Sequence, residues 1–200
     1  MGHDPAPLTS VCVFCGSSDA ADPALFSASA ELGRAIAAAQ LRLIYGGGGV
    51  GLMGACAIAA HEAGGQVLGI IPEFLKIKER RLDVVETITV TSMHERKLMM
   101  FEQADSFVVL PGGVGNLEEI VELLSWRRLD LHAKPVVFWS PNGFWDPLFA
   151  LFQHTVDHRF TPPEFMDSWV TVERIEDVVP ALLAPRGAAA VLAPEVARLS

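Results

Sequence analysis

A glycine-rich loop that carries two glutamates is the part of this sequence best equipped for chemistry. It reads Pro111-Gly112-Gly113-Val114-Gly115-Asn116-Leu117-Glu118-Glu119. Residues without Cβ allow backbone N–H groups and a helix N-terminus to approach a phosphate. Neighbours on a helix point about 100° apart, so Glu118 and Glu119 do not face one point and at most one of them is primarily catalytic. The alternative is structural: Asn116 caps the helix and Glu119 completes a capping box.

Two adjacent cations form a second candidate for ligand binding. Ser92 and Glu95 have the spacing of a capping box, which predicts that a helix begins directly after Ser92. Arg96 and Lys97 then lie near the positive end of the helix dipole, where a cation is disfavoured by up to about 1 kcal/mol. Such a departure from a local rule is typical of a functional site, here one that awaits an anion. The alternative is a solvated pair.

Another glycine-rich loop, at residues 46–54, contains Gly46, Gly47, Gly49, Gly51 and Gly54. Gly49, Gly51 and Gly54 match G-x-G-x-x-G, and Glu73 follows Gly54 by 19 residues, as in dinucleotide-binding proteins. A dinucleotide domain needs one such loop, whereas two loops can line opposite sides of one mononucleotide cleft. The alternative is that these glycines serve only a tight turn. The charged segment 73–81 that follows is predicted to be a flap over the cleft.

The loops are positioned by an alternation of short apolar runs with longer runs rich in Ala and Leu. Strands are predicted at residues 11–15, 41–45, 67–71, 87–91, 107–110 and 136–139. Helices are predicted at residues 23–39, 51–63, 93–103, 117–129, 144–159 and 175–183. Strands that are apolar on both faces are typical of parallel sheets covered on both sides. The pattern therefore predicts an α/β fold, a single-domain Rossmann-like doubly wound parallel sheet with helices on both faces.

The predicted domain spans residues 10–184, after an extension at 1–9 and before a frayed tail at 185–200 that is rich in Ala and Pro. In a doubly wound sheet, ligands bind beyond the carboxyl ends of the strands, where the strand order reverses. Both glycine-rich loops follow predicted strands. We therefore expect them at one edge of the sheet.

Composition excludes several classes of partner. The chain has 24 Asp and Glu but 15 Lys and Arg, which gives a net charge of −9. An acidic surface repels a nucleic-acid backbone. No uninterrupted apolar run approaches the roughly 20 residues of a membrane span. The first residues lack an export signal and the three cysteines cannot all pair, so a reducing cytoplasm is expected.

Signals for metal or thiol chemistry are weak. His154 and His158 share a helical face at metal-compatible spacing, but no third ligand is identifiable, so no metal is expected. Cys12 and Cys15 have C-x-x-C spacing within a predicted strand rather than at a helix start, which favours core thiols.

The sequence resembles the LOG proteins, the cytokinin riboside 5′-monophosphate phosphoribohydrolases. The segment from Pro111 to Glu119 is similar to their P-G-G-x-G-T-x-x-E signature, and residues 45–54 and 93–97 resemble the other marks of that family. The resemblance covers most of residues 10–183. Members are often labelled lysine decarboxylases, but none of the four lysines lies in a recognisable pyridoxal motif.

The resemblance implies hydrolysis of the N-glycosidic bond of adenosine 5′-monophosphate or its N6-modified forms, without a cofactor, by a homodimer. It implies that Arg96 and Glu119 are catalytic. It implies further that substrate is bound by Lys97, by Glu79 from the flap, and by the loop residues Gly112, Gly113, Val114, Gly115, Asn116, Leu117 and Glu118. A carboxylate suits this reaction because it stabilises an oxocarbenium-like sugar and activates water.

One position departs from the signature, because Asn116 stands where the family has Thr. We predict an altered affinity or substrate choice, since a compact hydroxyl is replaced by a larger amide. This departure keeps open a non-enzymatic nucleotide-binding protein similar to molybdenum cofactor carriers. An NAD-linked oxidoreductase is the third hypothesis, and only Gly49, Gly51, Gly54 and Glu73 support it.

Overall fold

A computed structural model describes residues 7–184. The predicted tail at 185–200 and residues 1–6 of the predicted extension lie outside the described residues. Across the described range, no helix has both the length and the hydropathy needed to cross a bilayer.

Within residues 7–184, seven parallel strands form one sheet in the order β4-β3-β2-β1-β5-β6-β7. The strands are β1 (Ser10–Phe14), β2 (Arg42–Tyr45), β3 (Val67–Pro72), β4 (Glu86–Val90), β5 (Phe107–Val109), β6 (Val136–Trp139) and β7 (Val170–Val172). The helices are α1 (Pro23–Ala38), α2 (Gly51–Glu62), α3 (Met93–Gln103), α4 (Val114–Arg128), α5 (Asp146–Asp157) and α6 (Val178–Leu183). The predicted doubly wound α/β class is confirmed.

Two hydrophobic cores cover the two faces of the sheet. Along β1, Val11 and Val13 belong to the core shared with α1, α2 and α6. Cys12 and Phe14 point to the opposite core, which α3, α4 and α5 cover. Because successive side chains of a strand alternate between faces, a strand buried on both sides must be apolar throughout. This requirement is why continuous apolar runs predicted the parallel sheet.

Local capping fixes where the helices that serve the site begin. The Asp22 carboxylate accepts a hydrogen bond from the Ala24 N–H at 2.8 Å at the start of α1. At the start of α3, the Ser92 hydroxyl accepts from the Glu95 N–H at 3.1 Å, as the sequence predicts. Glu95 does not complete a capping box, because its carboxylate accepts from the N–H and hydroxyl of Thr91 instead.

Two predicted helix starts need correction, and one strand has no counterpart among the predicted elements. The helix predicted at 117–129 begins at Val114, with Gly113 as its N-cap and no side-chain cap, so Asn116 is not the cap and Glu119 closes no capping box. The helix predicted from 144 begins at Asp146, after a 3-10 turn in which Asn142 has φ of 52°. Strand β7 was not predicted, because its three residues are too few to show a period and only pairing with β6 defines it.

The packing of α1 against α2 yields a stability prediction. A methyl group on Gly33 would collide with the backbone carbonyl of Cys56 on α2. Gly33→Ala should therefore lower the free energy of unfolding by about 1–3 kcal/mol, although alanine ordinarily stabilises a helix interior by about 1 kcal/mol. Denaturant unfolding measures the change. Gly115→Ala is the matched control, since a Cβ there meets open space, and an equal loss in both variants would contradict the argument.

Candidate active site

The candidate site lies where the strand order reverses, between β1 and β5. The chain leaves β1 toward α1 on one face and leaves β5 toward α4 on the other, which opens a crevice at the carboxyl edge. The loops after β1, β2 and β5 meet there: the Gly16 N–H donates to the Pro111 carbonyl and the Leu52 N–H to the Gly16 carbonyl, both at 3.0 Å. Both glycine-rich loops therefore lie at one edge of the sheet, as the sequence predicts.

Two adjoining cavities occupy this crevice. The first has a volume of about 390 Å³ and is lined by charged groups and by apolar side chains, among them Glu79, Arg96, Glu119, Leu75, Met53, Met93 and Met100. The second has a volume of about 490 Å³ and lies against the loop that joins β5 to α4. Val114, Gly115 and Asn116, the first turn of α4, line both. Both volumes fall within the roughly 300–1,000 Å³ that is typical of small-molecule sites.

Arg96 is a buried cation in the wall of the first cavity. Its side chain is 7% exposed, its Nη2 donates to the Gly46 carbonyl at 2.9 Å, and the Glu79 carboxylate lies 3.5 Å away. A Cβ on Gly46 would collide with the Arg96 Nη2, so glycine at this position makes room for the guanidinium. Within residues 7–184, the Arg96 Nε has no hydrogen-bond partner. One N–H of the guanidinium is therefore buried in the wall of the cavity without a partner.

Glu119 is the carboxylate whose pKa the fold changes most at this site. Burial raises its pKa to about 7, and the nearby Arg96 opposes that shift. Burial also raises the pKa of Glu79. A carboxyl that titrates near neutral pH can both hold and release a proton under physiological conditions, as general acid–base chemistry requires.

Comparison with known proteins identifies the family. A sequence profile described as "possible lysine decarboxylase" matches residues 53–182. Over 178 residues the chain is 43% identical to a probable cytokinin riboside 5′-monophosphate phosphoribohydrolase of Oryza sativa subsp. japonica, covering 85% of this chain and 78% of the relative. The chain belongs to the LOG family.

Other LOG-family relatives cover as much of the chain. The cytokinin riboside 5′-monophosphate phosphoribohydrolase of Rhodococcoides fascians is 40% identical and spans 88% of this chain and 90% of its own length. One from Arabidopsis thaliana is 41% identical, with 86% of this chain and 76% of the relative covered.

Solved structures of more distant proteins share the fold. The molybdenum cofactor binding protein of Rippkaea orientalis has a TM-score of 0.64 at 23% identity, covering 86% of this chain and 94% of that chain. The molybdenum cofactor carrier protein of Chlamydomonas reinhardtii has a TM-score of 0.67 at 20% identity, covering 88% and 96%. At these identities the likeness establishes the fold alone, so it does not favour the carrier hypothesis for this LOG-family chain.

The LOG signature forms the entrance of α4, where its residues differ in placement. Gly112 and Gly113 line the second cavity, while Glu118 and Glu119 line the first. Leu117 lines neither cavity and packs against the core that α3, α4 and α5 cover. The first three N–H groups of a helix have no partner within the helix, so this turn presents donors to the crevice.

In this LOG-family chain, backbone groups of the glycine-rich loop at residues 46–54 are hydrogen-bonded to other protein groups. The Gly49 N–H donates to the carbonyls of Glu79 and Arg80, and the Gly51 N–H donates to the Asp19 carboxylate at 2.9 Å. Gly54 donates to a carbonyl of its own helix start, and Gly47 accepts from Leu82. These contacts favour packing of the flap over dinucleotide binding. Glu73, the acidic residue of that hypothesis, is 72% exposed and pairs with Lys76.

Lys97 lies beside the site rather than in the cavity wall. Its ammonium is bound by Glu118 and, at 2.9 Å, by Glu122, so it ties α3 to α4. Lys134 donates to the Phe101 carbonyl and contacts that ring. Lys76 pairs with Glu73 on the exposed flap. These placements give no support to the decarboxylase label carried by the family profile.

Sequence reasoning missed the loop after β1. Cys15 and Ser17 line both cavities, and Asp19 binds the Gly51 N–H and pairs with Arg80 of the flap. The only available signal was their position after a predicted strand. Cys12 is buried as predicted, whereas Cys15, also predicted to be a core thiol, is half-buried at the crevice.

The two histidines of predicted metal-compatible spacing lie close together. His154 lies in the last turn of α5 and His158 is its C-cap, and their ring centroids are 4.2 Å apart. Throughout the described part of the chain, no three His, Cys, Asp or Glu side chains are grouped so that they could hold a metal ion.

Proposed function

We propose that this chain hydrolyses the N-glycosidic bond of adenosine 5′-monophosphate or its N6-modified forms, releasing the base and ribose 5-phosphate. One observation carries the proposal: buried Arg96, Glu119 with a pKa near 7, and the first turn of α4 all line the same crevice. The names of the relatives at about 40% identity support the same reaction.

The first turn of α4 binds the 5′-phosphate. Its backbone N–H groups at Val114, Gly115 and Asn116 have no partner within the helix, and the helix dipole favours an anion there. Gly113 and Gly115 present no side chain, and a Cβ on either would meet open space. The phosphate therefore reaches the backbone directly, in a chain whose net charge of −9 otherwise repels it.

Glu119 acts at the anomeric carbon. The bond between C1′ and the base nitrogen breaks, and its electron pair leaves with the base. The ionised Glu119 stabilises the cationic sugar and accepts a proton from the water whose oxygen bonds to C1′. That proton then passes to the base, so nucleotide and water yield base and ribose 5-phosphate with Glu119 regenerated.

Arg96 keeps Glu119 available as a carboxylate. Its positive charge lowers the pKa of Glu119 against the effect of burial. The base lies against the apolar side chains of the first cavity, where three methionines form an adaptable wall.

The direct test is chromatography of the purified protein incubated with adenosine 5′-monophosphate and with N6-isopentenyladenosine 5′-monophosphate. We expect equal amounts of free base and ribose 5-phosphate from at least one of them. Binding without release of base would overturn the proposed hydrolysis.

The pKa of Glu119 sets the expected pH dependence. The reaction needs the carboxylate, and the pKa is about 7, so kcat/KM should rise tenfold per pH unit below 7 and level off above it. Initial rates at low substrate concentration between pH 5.5 and 8.5 measure this profile. A profile that is flat from pH 6 to 8.5 would contradict the role of Glu119.

The homodimer and the cytoplasmic location remain predictions. Exposed apolar side chains on and after α4, at Val121, Leu129 and Leu131, support a contact between subunits at this end of the helix.

A further inference from the structure

Asn116 is a buried amide whose orientation the fold determines. It is 5% exposed and is the third residue of α4. Its Nδ2 donates to the Leu110 carbonyl at 3.0 Å, which ties the end of β5 to the first turn of the helix. A backbone carbonyl can only accept a hydrogen bond, so the Asn116 Nδ2, and not its Oδ1, must be the atom that faces Leu110. The amide oxygen, Oδ1, is therefore not the atom that faces the Leu110 carbonyl.

That oxygen lacks a partner. Among the residues that the structure describes, no donor reaches the buried Asn116 Oδ1, although Asn116 lines both cavities of the crevice. A buried acceptor without a donor is costly, so such atoms in native proteins call for a ligand or water. A phosphate dianion offers only acceptors. The partner that completes Asn116 must bring an O–H or an N–H group.

The position of Asn116 along α4 indicates which part of a bound nucleotide lies beside its amide oxygen. The N–H groups of the first turn face the phosphate, and Glu119, three residues beyond Asn116, lies on the same side of the helix. In the proposed reaction Glu119 acts at C1′. The sugar spans from phosphate to C1′, so Asn116 lies alongside the ribose.

We propose that Asn116 determines sugar specificity by accepting a hydrogen bond from a ribose hydroxyl through Oδ1. This inference rests on the proposed function for the orientation of the nucleotide. A 2′- or 3′-deoxynucleotide leaves the oxygen buried without a donor. A site built to bind a hydroxyl rejects the analogue that lacks it.

The test measures dissociation constants by calorimetry in the Glu119→Gln background, which removes turnover. The ligands are adenosine 5′-monophosphate, its 2′-deoxy and 3′-deoxy analogues, and inorganic phosphate. We expect one deoxy analogue to bind about 10- to 100-fold more weakly than the ribonucleotide. Asn116→Val and Asn116→Ala should reduce that difference to below about threefold while inorganic phosphate binds as before, because its partners are backbone groups.

Two results would overturn the inference. One is equal affinity for the three nucleotides with Asn116 present. The other is a preference for the ribonucleotide that persists in whichever Asn116 variant folds, as judged by circular dichroism. Release of base is measured separately, with Glu119 intact. Discrimination between the sugars without hydrolysis would support the role of Asn116 and refute the proposed reaction. Hydrolysis without discrimination would support the reaction and refute the role of Asn116.

Discussion

Glu119→Gln should lower kcat for nucleotide hydrolysis by about 1,000-fold, within the range that a general base contributes. Glutamine has nearly the same shape but can neither accept the proton of the attacking water nor balance the charge on the sugar. Release of base from adenosine 5′-monophosphate, followed by chromatography, measures the loss. Substrate should still bind, because the backbone donors of α4 remain.

The same substitution should make the protein more stable above neutral pH. The folded state holds the pKa of Glu119 at about 7 against an ordinary value of 4.5. The proton is therefore bound more tightly in the folded chain, and stability falls as pH rises from 4.5 through 7. Removing the carboxylate should raise the free energy of unfolding by on the order of 3 kcal/mol at pH 8 and by less than about 1 kcal/mol at pH 5.

Glu122→Gln is the matched control for both measurements. Glu122 lies one turn further along α4, pairs with Lys97 and has a partly exposed side chain. It should change kcat by less than about threefold and should not gain stability at pH 8. Retention of kcat in Glu119→Gln would contradict the catalytic role of Glu119, and a loss of stability at pH 8 would contradict its raised pKa.

Arg96→Met should lower kcat/KM at pH 7 by about 100-fold or more. The substitution keeps the length of the side chain but removes the charge that holds down the pKa of Glu119. Without that charge, a larger fraction of Glu119 is protonated at pH 7. The rise of kcat/KM with pH should therefore move to higher pH than in the unsubstituted chain.

Two comparisons isolate this effect. Arg42→Met removes a half-exposed arginine that pairs with Glu86 at the start of β2 and should leave both kcat/KM and its pH profile unchanged. Gly46→Ala keeps Arg96 but displaces its guanidinium, so it should shift the profile in the same direction. A loss of activity in Arg96→Met with no shift of the pH profile would limit Arg96 to binding the substrate.

The sequence by itself determined the class of fold and indicated which loops line the crevice. Strands buried on two faces must be apolar at every residue, so β1, β3 and β6 can be recognised without a structure. The start of α3 could be predicted because the Ser92 cap is local. The glycine loop at the start of α4 could be recognised because its glycines are consecutive in sequence, and they line the second cavity.

Only the tertiary structure decided how the site residues divide their roles. Arg96 and Lys97 are adjacent in sequence, yet one is bound by Gly46, 50 residues away, and the other by Glu118 and Glu122 on α4. From sequence, Asn116 has the character of a helix cap, but in the structure its amide donates to the Leu110 carbonyl. The pKa of Glu119 depends on burial by other elements. Desolvation and hydrogen bonds between distant segments arise from packing in space, and no local pattern of residues encodes them.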